Sequence, residues 1–325
     1  MKMAILGAGG IAGTMAGTIS RMKDVERYAV AARDKDRAQA FADRYGFEKA
    51  YGSYEEMLDD PQAELVYIAV PHSHHCIWTK AALNAGKHVL CEKAFAVNEK
   101  QAREMIELAG SKKLLLAEAV WTRYMPSRKI ITEIIERGDI GEVRTVSANL
   151  GYKIDMNDRL TNPALAGGAL LDLSVYTLNF ASMVLGDDVK RIAASEVKTD
   201  TGVDGQDSIM IEYHDGRMAD LFTTIYTLTD RRGLICGRDG FIQVENINNP
   251  QQIRVYGSNR NAVEMKACID VPEQISGYEY EVVSCMKAIA EGRIECPEMP
   301  HSQTITIMHQ MDEIRAQWGL KYPFE

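Results

Sequence analysis

The chain has 325 residues, 46% hydrophobic and 26% charged, which is enough to bury two medium-sized cores and too apolar for a disordered or collagen-like polypeptide. Its formal net charge of -9 leaves no surplus of Lys and Arg to neutralise phosphates, which argues against nucleic acid or an anionic membrane as partners. The six cysteines show neither C-x-x-C nor a Cys/His ligand spacing, so reduced thiols in a cytoplasmic protein are expected, with no disulfide framework and no metal.

Short apolar runs alternate with helical patterns through the first hundred-odd residues. Strands are expected over 3–6, 29–32, 65–70, 88–91 and 114–117, and helices over 12–22, 35–45, 77–85 and 101–109. Such alternation predicts an α/β Rossmann domain, a doubly wound parallel sheet, with Gly46, Gly86 and Gly110 as helix stops. After Pro126 the pattern changes. A helix over 128–137, a strand over 143–150 and a long apolar helix over 168–185 precede period-two runs at 208–213, 218–226, 241–245 and 253–256. Asp215-Gly216 and Asp239-Gly240 read as hairpin turns, and helices over 278–291 and 302–317 close the chain. The second half is therefore expected to be an α+β domain with a mostly antiparallel open sheet. The change of pattern divides the chain into 1–122 and 123–325. No run reaches the roughly 18 apolar residues of a membrane span.

Gly7-Ala8-Gly9-Gly10-Ile11-Ala12 matches G-x-G-x-x-(G/A) between the first strand and the first helix, the context that gives this motif meaning. Gly7 permits the tight turn, Gly9 and Gly10 let backbone approach a pyrophosphate, and Ile11 and Ala12 open the helix, Ala12 packing close to the strand. The helix amino terminus supplies N–H donors. At the end of the second strand an NAD site usually places an acid for the ribose hydroxyl; here stand Ala31-Ala32-Arg33. Ala32 repels nothing, and Arg33 suits a 2′-phosphate, so NADP(H) is favoured over NAD(H). The alternative is a solvated Arg33 with Asp34 on the ribose.

Val70-Pro71-His72-Ser73-His74-His75 follows the fourth expected strand, and the stretch His88 to Ala94 holds the next one and its carboxyl end. Ligands of open parallel sheets lie off those strand ends, so Val70, Pro71, His75, Glu92 and Lys93 are candidates for cofactor contact. The glycine motif, the Pro71 to His75 loop, the AGKHVLCEK run from Ala85 to Lys93, and Gly167-Gly168-Ala169-Leu170-Leu171-Asp172 with Tyr176 beyond it resemble the Gfo/Idh/MocA oxidoreductases. That family is named for glucose-fructose oxidoreductase, inositol dehydrogenase and a rhizopine-catabolism protein. Trp121-Thr122-Arg123-Tyr124 resembles the branch of dimeric dihydrodiol dehydrogenases and NADP-dependent xylose dehydrogenases. One departure is Ala94 where the family has proline, which frees φ and restores an N–H.

The resemblance implies an NADP(H)-dependent oxidoreductase acting on a carbohydrate-like small molecule, a sugar-like polyol, aldose or cyclic diol. It implies Tyr176 as acid/base, Lys93 as its cationic neighbour and a homodimer. Hydride transfer to a carbonyl leaves an alkoxide that needs a proton, and the reverse needs a base. Tyr is a weak base at neutral pH because its pKa is about 10, and a nearby ammonium favours the phenolate. Lys93 can also stabilise the developing charge. Asp172, four residues before Tyr176 and on the same helical face, would orient the substrate or the lysine. Trp121 and Arg123 are candidate pocket residues, with buried packing and an ion pair as the competing explanation. An NAD-linked inositol-type dehydrogenase and a non-catalytic NADP(H)-binding sensor are the rival functions.

Overall fold

The computed structural model describes residues 1–259 and 262–325, and the chain divides into two units: 1–121 with 274–308, and 122–273 with 309–325. The first unit runs β1 (Lys2–Leu6), α1 (Gly10–Ile19), β2 (Glu26–Ala31), α2 (Lys35–Tyr45), β3 (Lys49–Tyr51), α3 (Tyr54–Leu58), β4 (Leu65–Ile68), α4 (His75–Asn84), β5 (His88–Glu92), α5 (Glu99–Lys112) and β6 (Leu116–Ala119). Its six strands are all parallel in the order β3-β2-β1-β4-β5-β6. Helices on both faces bury the middle of the sheet: Met3, Ala4, Ile5 and Leu6 are all 0% exposed, hence the unbroken apolar runs. The half-buried β3 has only three residues and left no period to find. Gly46 ends α2 with φ 72°, whereas α5 runs through Gly110 and stops at Lys113, φ 55°. Gly110 is therefore not a helix stop.

The second unit contains α6 (Pro126–Glu136), β7 (Val143–Gly151), α7 (Asp158–Thr161), a π-helical turn (Leu170–Ser174), α8 (Val175–Leu185), β8 (Val189–Lys198), β9 (Asp204–Tyr213), β10 (Met218–Thr224), β11 (Gly233–Gly237), β12 (Gly240–Val244), β13 (Gln252–Asn259) and β14 (Ala262–Asp270). The sheet order is β14-β13-β12-β11-β7-β10-β9-β8, antiparallel throughout except where β10 lies parallel to β7. The segment Pro163–Leu185 is, by length and composition alone, apolar enough to cross a membrane, although Asp172 and Asn179 interrupt its apolar run. In the fold 89% of that stretch is buried, as a core helix packed on β7 and β10.

Two closing helices follow, α9 (Glu279–Ala290) and α10 (His301–Trp318). Both were expected in the second domain, yet residues 274–308 belong to the first unit. There Leu116 N–H donates to the Ile294 carbonyl at 3.0 Å, Thr304 Oγ1 donates to Glu118 at 2.8 Å, and the His301 ring lies 2.7 Å from the Leu116 carbonyl. The segment thus ties itself to β6.

Candidate active site

The glycine loop is shaped by backbone. Gly7, φ 114°, donates to the Ala31 carbonyl at 2.9 Å, and a Cβ on it would stand 2.3 Å from the Ala69 carbonyl oxygen, so only glycine fits. Gly9 caps α1 with no side chain, and a Cβ on Gly9 or Gly10 would meet nothing within 4 Å. Open space therefore adjoins the amino terminus of a ten-residue helix, and a dinucleotide pyrophosphate fits that cradle. Ala12 is fully buried, so helix and strand pack closely, and Ile11 is half-buried.

At the end of β2, Ala32 is 3% exposed and its N–H bonds the Tyr51 carbonyl at 3.2 Å. Arg33 is exposed. Asp34 caps α2, accepting the Arg37 N–H at 2.8 Å, so its carboxylate already serves the helix. Arg37, which the sequence reading passed over, donates from Nη2 to the Ala8 carbonyl at 2.9 Å and brings a second guanidinium to the glycine loop. Its signal was its place in the first turn of α2, the helix that follows the glycine loop and Arg33. Burial, and then the Arg33 charge, hold His74 below the usual histidine range.

The next two strand ends are joined by His75. Its ring is fully buried, with Nδ1 at 2.8 Å from the Ala94 carbonyl and Nε2 at 2.9 Å from the Val70 carbonyl. A neutral imidazole carries one N–H, so it donates to one carbonyl at a time. His75 is a strut between the β4 and β5 loops. Val70 and Pro71 remain half-buried at the β4 end. Glu92, 6% exposed, accepts the Tyr67 hydroxyl and the Lys93 N–H, so it too serves the interior. Lys93 is half-buried at the β5 end, and its peptide bond to the fully buried Ala94 is cis. Trp121, 6% exposed, stacks on Tyr278 with ring centres 4.4 Å apart. Among the described residues, no three His, Cys, Asp or Glu side chains gather as a metal site would need.

In the second unit, Asp172 and Tyr176 are 6% and 7% exposed. Asp172 sits in the π-helical turn and pairs with Arg159 of α7 at 3.0 Å, a partner that the sequence did not single out because the four-residue α7 carries no motif. Arg123, 2% exposed, donates to Asn179 and, at 3.1 Å, to Ser182, both on α8. Its guanidinium packs that helix. The fold thus gathers Gly7 to Ala12 with Arg33 and Arg37 in one unit, and Asp172 with Tyr176 in the other. Lys93 and Trp121 belong to the first.

Residues 1–119 match the family described as oxidoreductases with an NAD-binding Rossmann fold, and residues 129–260 match the Gfo/Idh/MocA C-terminal domain. The chain belongs to the Gfo/Idh/MocA oxidoreductase family. Over 99% of its length it is 32% identical to trans-1,2-dihydrobenzene-1,2-diol dehydrogenase of Mus musculus, covering 98% of that protein. It is 35% identical to D-xylose 1-dehydrogenase (NADP(+)) of Hypocrea jecorina, covering 99% of this chain and 93% of the relative. Among solved structures, KijD10, a 3-ketoreductase from Actinomadura kijaniata in complex with NADP, superposes with a TM-score of 0.87 at 24% identity and 97% coverage of both chains. This Gfo/Idh/MocA member is an NAD(P)-dependent oxidoreductase acting on CH–OH groups.

Proposed function

We propose that the enzyme is NADP(H)-linked and works on a sugar-like polyol, aldose or cyclic diol, with Lys93 and Tyr176 handling the proton and Asp172 orienting the reacting group. The end of β2 carries the cofactor choice: Asp34 is engaged as a helix cap, Arg33 is exposed, and Arg37 lies one helical turn on. Two guanidiniums suit a 2′-phosphate through forked, charge-assisted hydrogen bonds. The substrate class is supported by the relatives, a dihydrodiol dehydrogenase and an NADP(+)-linked xylose dehydrogenase.

When bound, the nicotinamide supplies or takes the hydride. The chain does the rest. Residues Gly7 to Ala12 hold the pyrophosphate with helix N–H groups. Tyr176 takes the hydroxyl proton as the alcohol is oxidised and returns it in reduction, while the Lys93 ammonium stabilises the alkoxide oxygen. Asp172, anchored by Arg159, orients that oxygen. The low exposure of Tyr176 keeps bulk water from competing for the proton. The same reading includes a homodimer formed through the open sheet, supported by the exposure of Val263 and Met265 on β14. Cysteines that form no disulfide among the described residues suit a reducing, cytoplasmic setting.

Dissociation constants for NADPH and NADH test the cofactor choice: NADPH binds more tightly on this reading, and tighter NADH binding overturns it.

A further inference from the structure

The turn that carries Asp172 is gripped from β9 at both ends. At its start, Asp204 accepts the Leu170 N–H through Oδ2 at 2.5 Å. Its other oxygen occupies space that only a glycine leaves free, since a Cβ on Gly168, φ 125°, would stand 2.2 Å from it. At the end of the turn, Ser174 Oγ donates to Asp207 Oδ2 at 2.9 Å and lies 2.5 Å from Thr223 Oγ1, which itself reaches Asp207 at 3.2 Å. Asp204, Asp207 and Ser174 are 0% exposed.

Such carboxyls are expensive. Among the described residues, Oδ1 of each aspartate is buried with no hydrogen-bond partner, a cost that apolar side chains would avoid. Among the described residues, the groups that weigh most on the pair are Glu196 from β8, Tyr322 from the C-terminal segment and, beside Asp204, Tyr226 after β10, and none of these is a cation. Burial, and then mutual repulsion and Glu196, push Asp207 well up, and burial likewise raises Asp204. A π-helical turn, in contrast to the α-helix after it, is rare, appears mostly as a single turn and is frequent at functional sites. Outside fixation gives the buried pair a use.

We propose that Asp204 and Asp207 are positioning residues of the reaction, fixing both ends of the Leu170–Ser174 turn and with it Asp172 inside the turn and Tyr176 two residues beyond. This rests on the assignment of Asp172 and Tyr176 made above. A side chain acting this way changes turnover through geometry, because a displacement of about 1 Å at reacting groups can cost on the order of a hundredfold in rate.

The test uses the full chain with NADP+ and whichever of D-xylose, myo-inositol and trans-dihydrobenzenediol gives the highest wild-type rate. Asp204→Ala and Ser174→Ala should each lower kcat by about ten- to a hundredfold while NADPH binding stays within about twofold. Asp204→Asn keeps an oxygen for the Leu170 N–H and should restore kcat to within about threefold of wild type. The double variant Asp204→Ala/Tyr176→Phe should be no slower than Tyr176→Phe alone, as expected of residues acting as a unit. Wild-type kcat per folded molecule in Asp204→Ala and Ser174→Ala, even with lowered melting temperatures, overturns the proposal, and so, where Tyr176→Phe is itself slow, do fully multiplicative losses in the double variant. Should Asp204→Ala fail to fold, Ser174→Ala carries the same comparison. Near-normal turnover in Tyr176→Phe overturns the Tyr176 assignment instead; slow Ser174→Ala and active Asp204→Asn would then still support the grip, acting through Asp172.

Discussion

The glycine loop and the Asp172–Tyr176 turn are built in opposite ways. The loop is backbone, opened by glycines and flanked by exposed arginines, so its work is done by N–H groups and positive charge at the surface. The turn is buried side chain, held from a distant strand by buried carboxyls. A binding site for a long anionic cofactor needs access and positive potential, whereas a proton-transfer site needs fixed geometry and little water. Buried aspartates show the same division. Although burial raises it, Asp60 in the first unit is held well below the carboxylate range by hydrogen bonds from Lys49, Tyr51, Gln62 and Tyr28. Asp204 and Asp207 receive fewer donors and are pushed up by burial.

The largest expected effect lies at the turn and its lysine. Tyr176→Phe and Lys93→Met should each cut turnover by about two to four orders of magnitude while NADPH binding is largely kept; near-normal turnover in either removes that residue from the mechanism. Next comes Asp60→Ala, which strands the buried Tyr28 hydroxyl and the Gln62 N–H and should cost about 3 kcal/mol of stability in urea denaturation. At the loop, Arg33→Ala should weaken NADPH by about tenfold and leave NADH unchanged, with Arg37→Ala acting in the same direction but less. Equal weakening of both cofactors would show that Arg33 does not read the phosphate.

The smallest effect, in pH, has opposite signs in the two units. The Asp60 pKa is lowered, so its contribution is present above the unfolded carboxylate value, about 4, and is lost as pH falls through the depressed folded value. For Asp204 and Asp207 the folded pKa values are raised, so their contribution is present below about 4 and is lost as pH rises through those values. Asp207→Asn should therefore gain stability relative to wild type as pH climbs from about 5 to about 8, whereas Asp60→Asn should lose less relative to wild type in strong acid. Parallel curves for Asp207→Asn and wild type would mean that Asp207 is ionised throughout.

The loop was legible because its function is written locally: Gly7, Gly9 and Ala12 are spaced by one turn, and Arg33 follows one strand later. Both sheets were legible from periodicity, except for β3, β8, β11 and β14, which are short or half-exposed and hide the alternation. The site around the turn was only half legible. Asp172 and Tyr176 came from the family pattern, but Asp204 and Asp207 stand just ahead of the period-two run starting at Ser208, and nothing in their neighbours shows that they are buried against Leu170 and Ser174. Contacts thirty-odd residues apart are absent from any local window. The interior partners of His75 and Arg123 were hidden for the same reason: a polar side chain reads alike whether it faces a ligand or a buried carbonyl. Helical periodicity likewise shows an apolar face on α9 without saying which sheet receives it.

Initial rates of NADP+ reduction, measured for wild type and Tyr176→Phe at saturating cofactor over aldoses, cyclic polyols and dihydrodiols, test the central claim most directly. The account predicts turnover of at least one such alcohol by wild type, cut by orders of magnitude in Tyr176→Phe with NADPH affinity unchanged. No cofactor turnover with any member of the three classes would contradict it.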